Sequence, residues 1–166
     1  MIFTPALFYV TAAILGLLFG SFASLAAYRW PRGEPVVTGR SRCPHCGQEL
    51  GVADLVPVLS YIRARGKCRY CAAPVSPRYP LIEIATAILF VLALAAAGPG
   101  LPAIVLGLLA VGLVIITAID LEHQVIPDQA SLALGALGVA YHALLDNRMD
   151  GWISAGAGAL AGFTIA

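Results

Sequence analysis

Charge is scarce in this sequence. Only 11% of its 166 residues are Asp, Glu, Lys or Arg, where an ordinary soluble domain carries about 25%. With 60% hydrophobic residues and a mean hydropathy of +0.87, that shortage excludes a free-standing soluble domain and points to an integral membrane protein. The N-terminus also lacks a basic region ahead of its apolar run over residues 1–28, and its basic flank follows the run. The run is longer than the ~7–15 residues of a signal peptide core, so a retained transmembrane helix is favoured over a cleaved leader.

The little charge present is unevenly placed. Nine of the ten basic residues lie between Arg29 and Arg78, leaving only Arg148 elsewhere. A loop so rich in cations belongs on the cytoplasmic side by the positive-inside rule. A span needs about 20 apolar residues, and on that measure the segments are 5–28, 81–98, 101–119, 129–145 and an incomplete 151–166. Gly98-Pro99-Gly100 with Pro102 marks a tight turn, as does the polar stretch Asp146 to Gly151. The expected fold is all-α, a polytopic transmembrane helical bundle with the N-terminus outside. A first helix over 1–30 and a transmembrane region over 81–166 flank a small cytoplasmic loop domain over 31–80. No convincing internal repeat stands out.

Residues 31–80 hold all four cysteines, as CPHC at 43–46 and CRYC at 68–71. Some 50 residues bury little core, so a staple is expected. Two C-x2-C pairs separated by 21 residues offer Cys43, Cys46, Cys68 and Cys71 as the tetrahedral thiolate set that zinc prefers. Two disulfides or free thiols are the alternatives, and a reducing compartment disfavours the disulfides. His45 is a less suited ligand while four thiols are available. A four-thiolate zinc has no open position, so it organises the loop and does not identify a chemistry.

Two of the nine acidic residues stand at membrane depth. Glu83 lies just inside the second span and Asp120 closes the third, and ionisable groups placed there are functional candidates. For Glu83 the plainer reading is a salt bridge to Arg78 or another basic loop residue. For Asp120 it is a helix-end carboxylate satisfied by water or His123, although a negative charge is unfavourable at a helix C-terminus. Asp128, after Pro127, is better placed to cap or open the fourth span. Peptide hydrolysis can be driven by two carboxylates sharing a proton, one a base toward water and the other an acid toward the carbonyl oxygen. Asp120 suits one such role, and the second group must come from another helix.

The order GSFASLAAYRWPRG (20–33), SRCPHCG (41–47), DLVPVLSYIRARGKCRYC (54–71), PVSPRYPLIE (74–83) and AIDLEHQVIPD (118–128) closely resembles the type IV prepilin peptidases over essentially the whole chain. The resemblance implies an aspartic endopeptidase of the bacterial inner membrane. It would cut the leader of prepilins and pseudopilins of type IV pili and type II secretion on the cytoplasmic side. It would then methylate the new N-terminus with S-adenosylmethionine. Asp120 matches the family's first catalytic aspartate, the four cysteines its metal-binding loop, and Glu83 an acidic position tied to methylation and hence to the cofactor. Prepilins are the implied partners; apart from the resemblance, the spans imply membrane lipid, the isolated fifth span is expected to self-associate to complete the bundle, and no nucleic-acid partner is expected. Two positions depart from the family. Ser24 replaces the usual Asn, and no G-x-G-D motif with the second aspartate follows, which suggests a truncated product. Asp128, Asp146 and Asp150 are poor replacements for that aspartate. A catalytically inactive binding or scaffold protein with a structural zinc loop is the alternative. A methyltransferase remnant has weaker support, because no Gly-rich cofactor fingerprint is present.

Overall fold

The computed structural model describes residues 5–145. Helix α1 (Pro5–Arg29) runs into a 3-10 turn (Trp30–Arg32), and a loop with one short helix, α2 (Leu59–Arg63), leads to α3 (Arg78–Ala97). Helices α4 (Leu101–His123) and α5 (Asp128–Leu145) follow. Among the described residues there is no strand, only the isolated bridges Arg42–Glu49 and Lys67–Pro74. The all-α bundle expected from composition is therefore what the chain forms. The expected fifth span over 151–166 lies outside the described residues.

Helices α1, α3 and α4 are long and apolar enough to cross a membrane. The 23 residues of α4 extend about 35 Å at 1.5 Å per residue, beyond a hydrocarbon core of ~30 Å. Helix α5 occupies the expected fourth span but is less apolar, since it opens on Asp128 and Gln129. Large side chains such as Leu7, Val10, Ile14, Leu18, Ile88 and Leu113 remain exposed on the helices. Such all-round apolarity fits helices solvated by lipid.

Small residues bring the helices together. A Cβ added at Gly16 would stand 2.5 Å from Ala87 Cα, and one at Gly20 would stand 2.6 Å from Glu83 Cα. The pair forms the G-x-x-x-G spacing that lets two membrane helices touch backbone to backbone. Below it, Ala23, Ala26 and Ala27 of α1 pack with Phe90 of α3 and with Val111, Ile115, Ala118 and Ile119 of α4. Phe19 stacks on Phe90 with centroids 5.5 Å apart. Gly20→Ala is expected to lower stability by ~1–3 kcal/mol, because the methyl meets backbone that cannot rotate away. A thermal melt in detergent checks this, and an unchanged midpoint would contradict the close packing.

The boundaries shift in one informative place. The third span was expected to end at residue 119, but α4 continues to His123 and stops where Gln124 turns left-handed (φ 51°) and returns its N–H to the Asp120 carbonyl at 2.8 Å. Hydropathy marks where the apolar run ends, whereas the helix continues through its last backbone hydrogen bonds. Asp120 is therefore in the final turn of α4 and does not close it. Asp128 opens α5, as expected, within its first turn.

Candidate functional site

The loop carries the same knuckle twice, 25 positions apart. Cys43 N–H donates to Gln48 O and Gly47 N–H to Cys43 O, while Cys68 N–H donates to Ala73 O and Ala72 N–H to Cys68 O. The bridges Arg42–Glu49 and Lys67–Pro74 flank the two cysteines identically. This repeat is not apparent from the sequence, because RCPHCGQE and KCRYCAAP share little beyond their cysteines. The fourth residue after each leading cysteine is left-handed, Gly47 at φ 70° and Ala72 at φ 58°. Glycine adopts that conformation freely and alanine at a cost of roughly 1–2 kcal/mol. Gly47→Ala should therefore weaken the loop, and Ala72→Gly should strengthen it, each by ~1 kcal/mol. Urea midpoints read by loop proteolysis check both signs.

The knuckles bring all four sulfurs within 4.8 Å of one another, with Cys43 Sγ and Cys71 Sγ 3.9 Å apart. A tetrahedral ion with metal–sulfur bonds of ~2.3 Å holds its sulfurs about 3.8 Å apart, so the cluster fits a thiophilic metal. The cysteines are unbridged. The N–H groups of Cys46 and His45 hold the Cys43 thiol down to about 6. The Ala73 N–H favours a thiolate at Cys71, but the three neighbouring thiols outweigh it and push that thiol up. Four sulfurs this close need a cation to ionise together.

Two further residues organise the loop. Arg29, buried at the end of α1, donates to Pro35 O (3.1 Å), Thr38 O (3.1 Å) and Arg40 O (3.0 Å), which gathers the chain that leads to the first knuckle. Asp54 accepts from Gly51 N–H (3.1 Å) and Tyr70 Oη (3.0 Å) and pairs with Arg69 at 3.3 Å, which ties the middle of the loop to the second knuckle. Burial opposes its ionisation, but the Gly51 N–H, the Tyr70 hydroxyl and the arginines hold its carboxyl below the usual range. Neither role is legible in the sequence, where Arg29 is one charge of a positive-inside cluster.

Glu83 is buried in the second turn of α3. Its Oε2 accepts the Val58 N–H at 2.7 Å. The salt bridge expected with Arg78 is not formed. Arg78 instead pairs with Glu122 and donates to Ala118 O at 3.3 Å, which joins the start of α3 to the end of α4. Val58 has φ 60° and ψ −48°, and Leu59 N–H reaches back to Pro57 O at 2.6 Å, a γ-turn with positive φ that is rare for a β-branched residue. Beside Glu83, a cavity of about 710 Å³ opens between α1, the loop and α3, lined in part by Ser21, Ser24, Tyr28, Tyr61 and Tyr79. The Ser24 hydroxyl is buried there without a hydrogen-bond partner among the described residues.

Asp120 is not among the residues lining this cavity. It is exposed, and its carboxylate has no hydrogen bond or ion pair among the described residues. The pairing considered with His123 is not formed, because His123 Nε2 lies 3.8 Å from Glu122. The two candidate acids thus occupy separate places: one in a cavity against α1, the other on the last turn of α4.

A family model for the bacterial peptidase A24 N-terminal domain matches residues 14–97. The chain is 32% identical to the prepilin leader peptidase/N-methyltransferase of Aeromonas hydrophila, over 97% of this chain and 63% of the relative. It is 38% identical to the protein of the same name from Myxococcus xanthus, over 93% and 47%. It is 37% identical to a type 4 prepilin-like proteins leader peptide-processing enzyme of Escherichia coli O78:H11, over 75% and 53%. The chain thus spans about half to two thirds of the length of these curated relatives. No solved structure matches it.

Proposed function

The chain belongs to the bacterial A24 family of prepilin leader peptidase/N-methyltransferases, and on that premise we propose an inner-membrane enzyme that cleaves the leader of type IV prepilins and pseudopilins at the cytoplasmic face and methylates the new N-terminus. The observation that carries the peptidase reading is the Asp120 carboxylate. It is exposed and unpaired among the described residues. The Arg78–Glu122 pair holds its turn of α4 beside the start of α3 and hence beside the basic loop.

In this reading Asp120 is one member of an aspartic pair. One carboxylate takes a proton from water as the water oxygen bonds to the scissile carbonyl carbon, and the other gives a proton to the carbonyl oxygen. Collapse of the tetrahedral intermediate breaks the C–N bond, and the leaving amine takes a proton. Glu122 is paired with Arg78 and Glu83 accepts the Val58 N–H, so the second carboxylate is assigned to another helix. Cys43, Cys46, Cys68 and Cys71 hold zinc in a structural role, since four thiolates leave it no open position.

The methyl donor is assigned to the cavity beside Glu83. S-adenosylmethionine supplies a methyl group from a sulfonium cation when bound. The Glu83 carboxylate offers that cation a counter-charge, Tyr28, Tyr61 and Tyr79 offer aromatic faces, and the free Ser24 hydroxyl offers a polar contact. Asp120→Asn is expected to abolish cleavage of a prepilin in membranes, a loss of more than about a hundredfold for a missing acid–base group, with the metal content unchanged. Cleavage at the unsubstituted rate would contradict the assignment.

A further inference from the structure

We propose that residues 55–62, LVPVLSYI, dip into the membrane beside α3, so that the apolar edge Val56, Leu59 and Ile62 lies at the acyl–headgroup boundary and the basic residues that follow bind anionic phospholipid headgroups. This inference needs only that α1 and α3 cross a bilayer, and it is independent of the catalytic reading.

Depth is the first argument. Val58 donates to Glu83 at 2.7 Å. Glu83 stands five residues beyond the loop end of α3 at Arg78, and its Cα abuts Gly20, nine residues from the loop end of α1 at Arg29. At 1.5 Å per residue these are roughly 7.5 Å and 13.5 Å along the helices. The Glu83 side chain leans back toward the start of α3 by up to about a turn, so Val58 stands level with the first turn of α3 and roughly one turn inside the loop end of α1. Arg29 and Arg78 mark those points with charge, and Tyr28 and Trp30 place aromatic rings at the same level, as at a membrane interface.

Exposure is the second argument. Leu59 and Ile62 are 65% and 64% exposed, and Val56 37%, and none of the three lines the cavity beside Glu83. An aqueous loop stapled by a metal has no reason to present three such side chains in seven residues, whereas a segment at the edge of the hydrocarbon buries them in lipid.

The backbone supplies the third. Irregular chain at membrane depth requires its polar groups to be satisfied. Pro57 has no N–H, Val58 N–H goes to Glu83, Leu59 N–H to Pro57 O, Ser60 N–H to Val56 O and Ile62 N–H to Val58 O, which leaves the Val56 and Tyr61 N–H groups without a bond among the described residues. The γ-turn would leave the Val58 donor without an acceptor, and Glu83 supplies one. Charge complementarity is the fourth. Arg63, Arg65 and Lys67 follow directly and are exposed, and Arg65 and Lys67 make no ion pair among the described residues. Each is worth ~1 kcal/mol near an anionic lipid surface.

The test reconstitutes the full chain in phosphatidylcholine/phosphatidylglycerol vesicles, with or without brominated acyl chains, and reads tryptophan fluorescence against the unsubstituted chain. L59W and I62W are compared with I88W on the exposed face of α3 and with Q48W among the ion pairs of the first knuckle. Brominated lipid should quench L59W and I62W to the extent of I88W, while Q48W responds to aqueous acrylamide alone. Replacing phosphatidylglycerol with phosphatidylcholine should reduce quenching of I62W, and R63Q/R65Q should remove that difference. Quenching of L59W and I62W by acrylamide as for Q48W would overturn the proposal. Shielding from both quenchers would also overturn it, since protein would then cover this edge.

Discussion

Cys43→Ser or Cys68→Ser should release the metal and unfold residues 41–75, while α1, α3 and α4 keep their helical content. The reason is the imbalance between what orders this segment and what order costs. The described loop contributes few buried apolar side chains, and ~50 residues cannot supply a core of their own. In zinc-finger peptides a structural zinc contributes ~10–16 kcal/mol of apparent binding free energy, which is folding free energy when the free ligands are unstructured. Each knuckle places one sulfur on a buried cysteine and one on an exposed cysteine, so removing a buried member opens the cluster from inside. Metal content and limited proteolysis check the prediction together. Loss of metal with an intact, protease-resistant loop would show that the paired knuckle hydrogen bonds suffice without it.

The second large effect separates two substitutions at one residue. Glu83→Leu should free the segment around Val58, because it leaves the Val58 N–H without its acceptor, at ~1–3 kcal/mol for a buried donor. It also releases a γ-turn that stores a further ~1–3 kcal/mol. Glu83→Gln should keep the segment in place, since an amide carbonyl still accepts from Val58. Hydrogen exchange at residues 58–62 distinguishes them: strong acceleration for Glu83→Leu and little for Glu83→Gln. Equal acceleration in both would mean that charge, and not the hydrogen bond, holds the loop to α3.

The features legible in the sequence are those set by local chemistry. Two C-x2-C pairs place four thiols whatever the intervening chain does, and apolar runs give α1, α3 and α4 to within a few residues, because the transfer cost of side chains is additive along a helix. What escaped depends on backbone geometry or on distant contacts. Glu83 was read against Arg78, five positions away. Its actual partner is a backbone N–H 25 positions away, exposed by a γ-turn that no side-chain pattern encodes. Arg29 stands in the sequence as one more charge, but its three acceptors are carbonyls of the following loop, and carbonyls carry no sequence signal. Asp120 follows an apolar run in the sequence, but hydropathy ends that run at residue 119 whereas α4 continues to His123. The repeat of the two knuckles was hidden for a related reason, because Gly47 and Ala72 share a conformation while differing in residue type.

The central claim is that the two proposed chemistries occupy separate sites, Asp120 on the exposed last turn of α4 and Glu83 in the cavity against α1. It is tested most directly by assaying Asp120→Asn and Glu83→Gln side by side in membranes, on an intact prepilin and on a prepilin peptide already freed of its leader. The account predicts that Asp120→Asn loses cleavage but still methylates the freed peptide, and that Glu83→Gln cleaves but no longer methylates. Loss of both activities in Asp120→Asn, or of cleavage in a folded, metal-loaded Glu83→Gln, would contradict it.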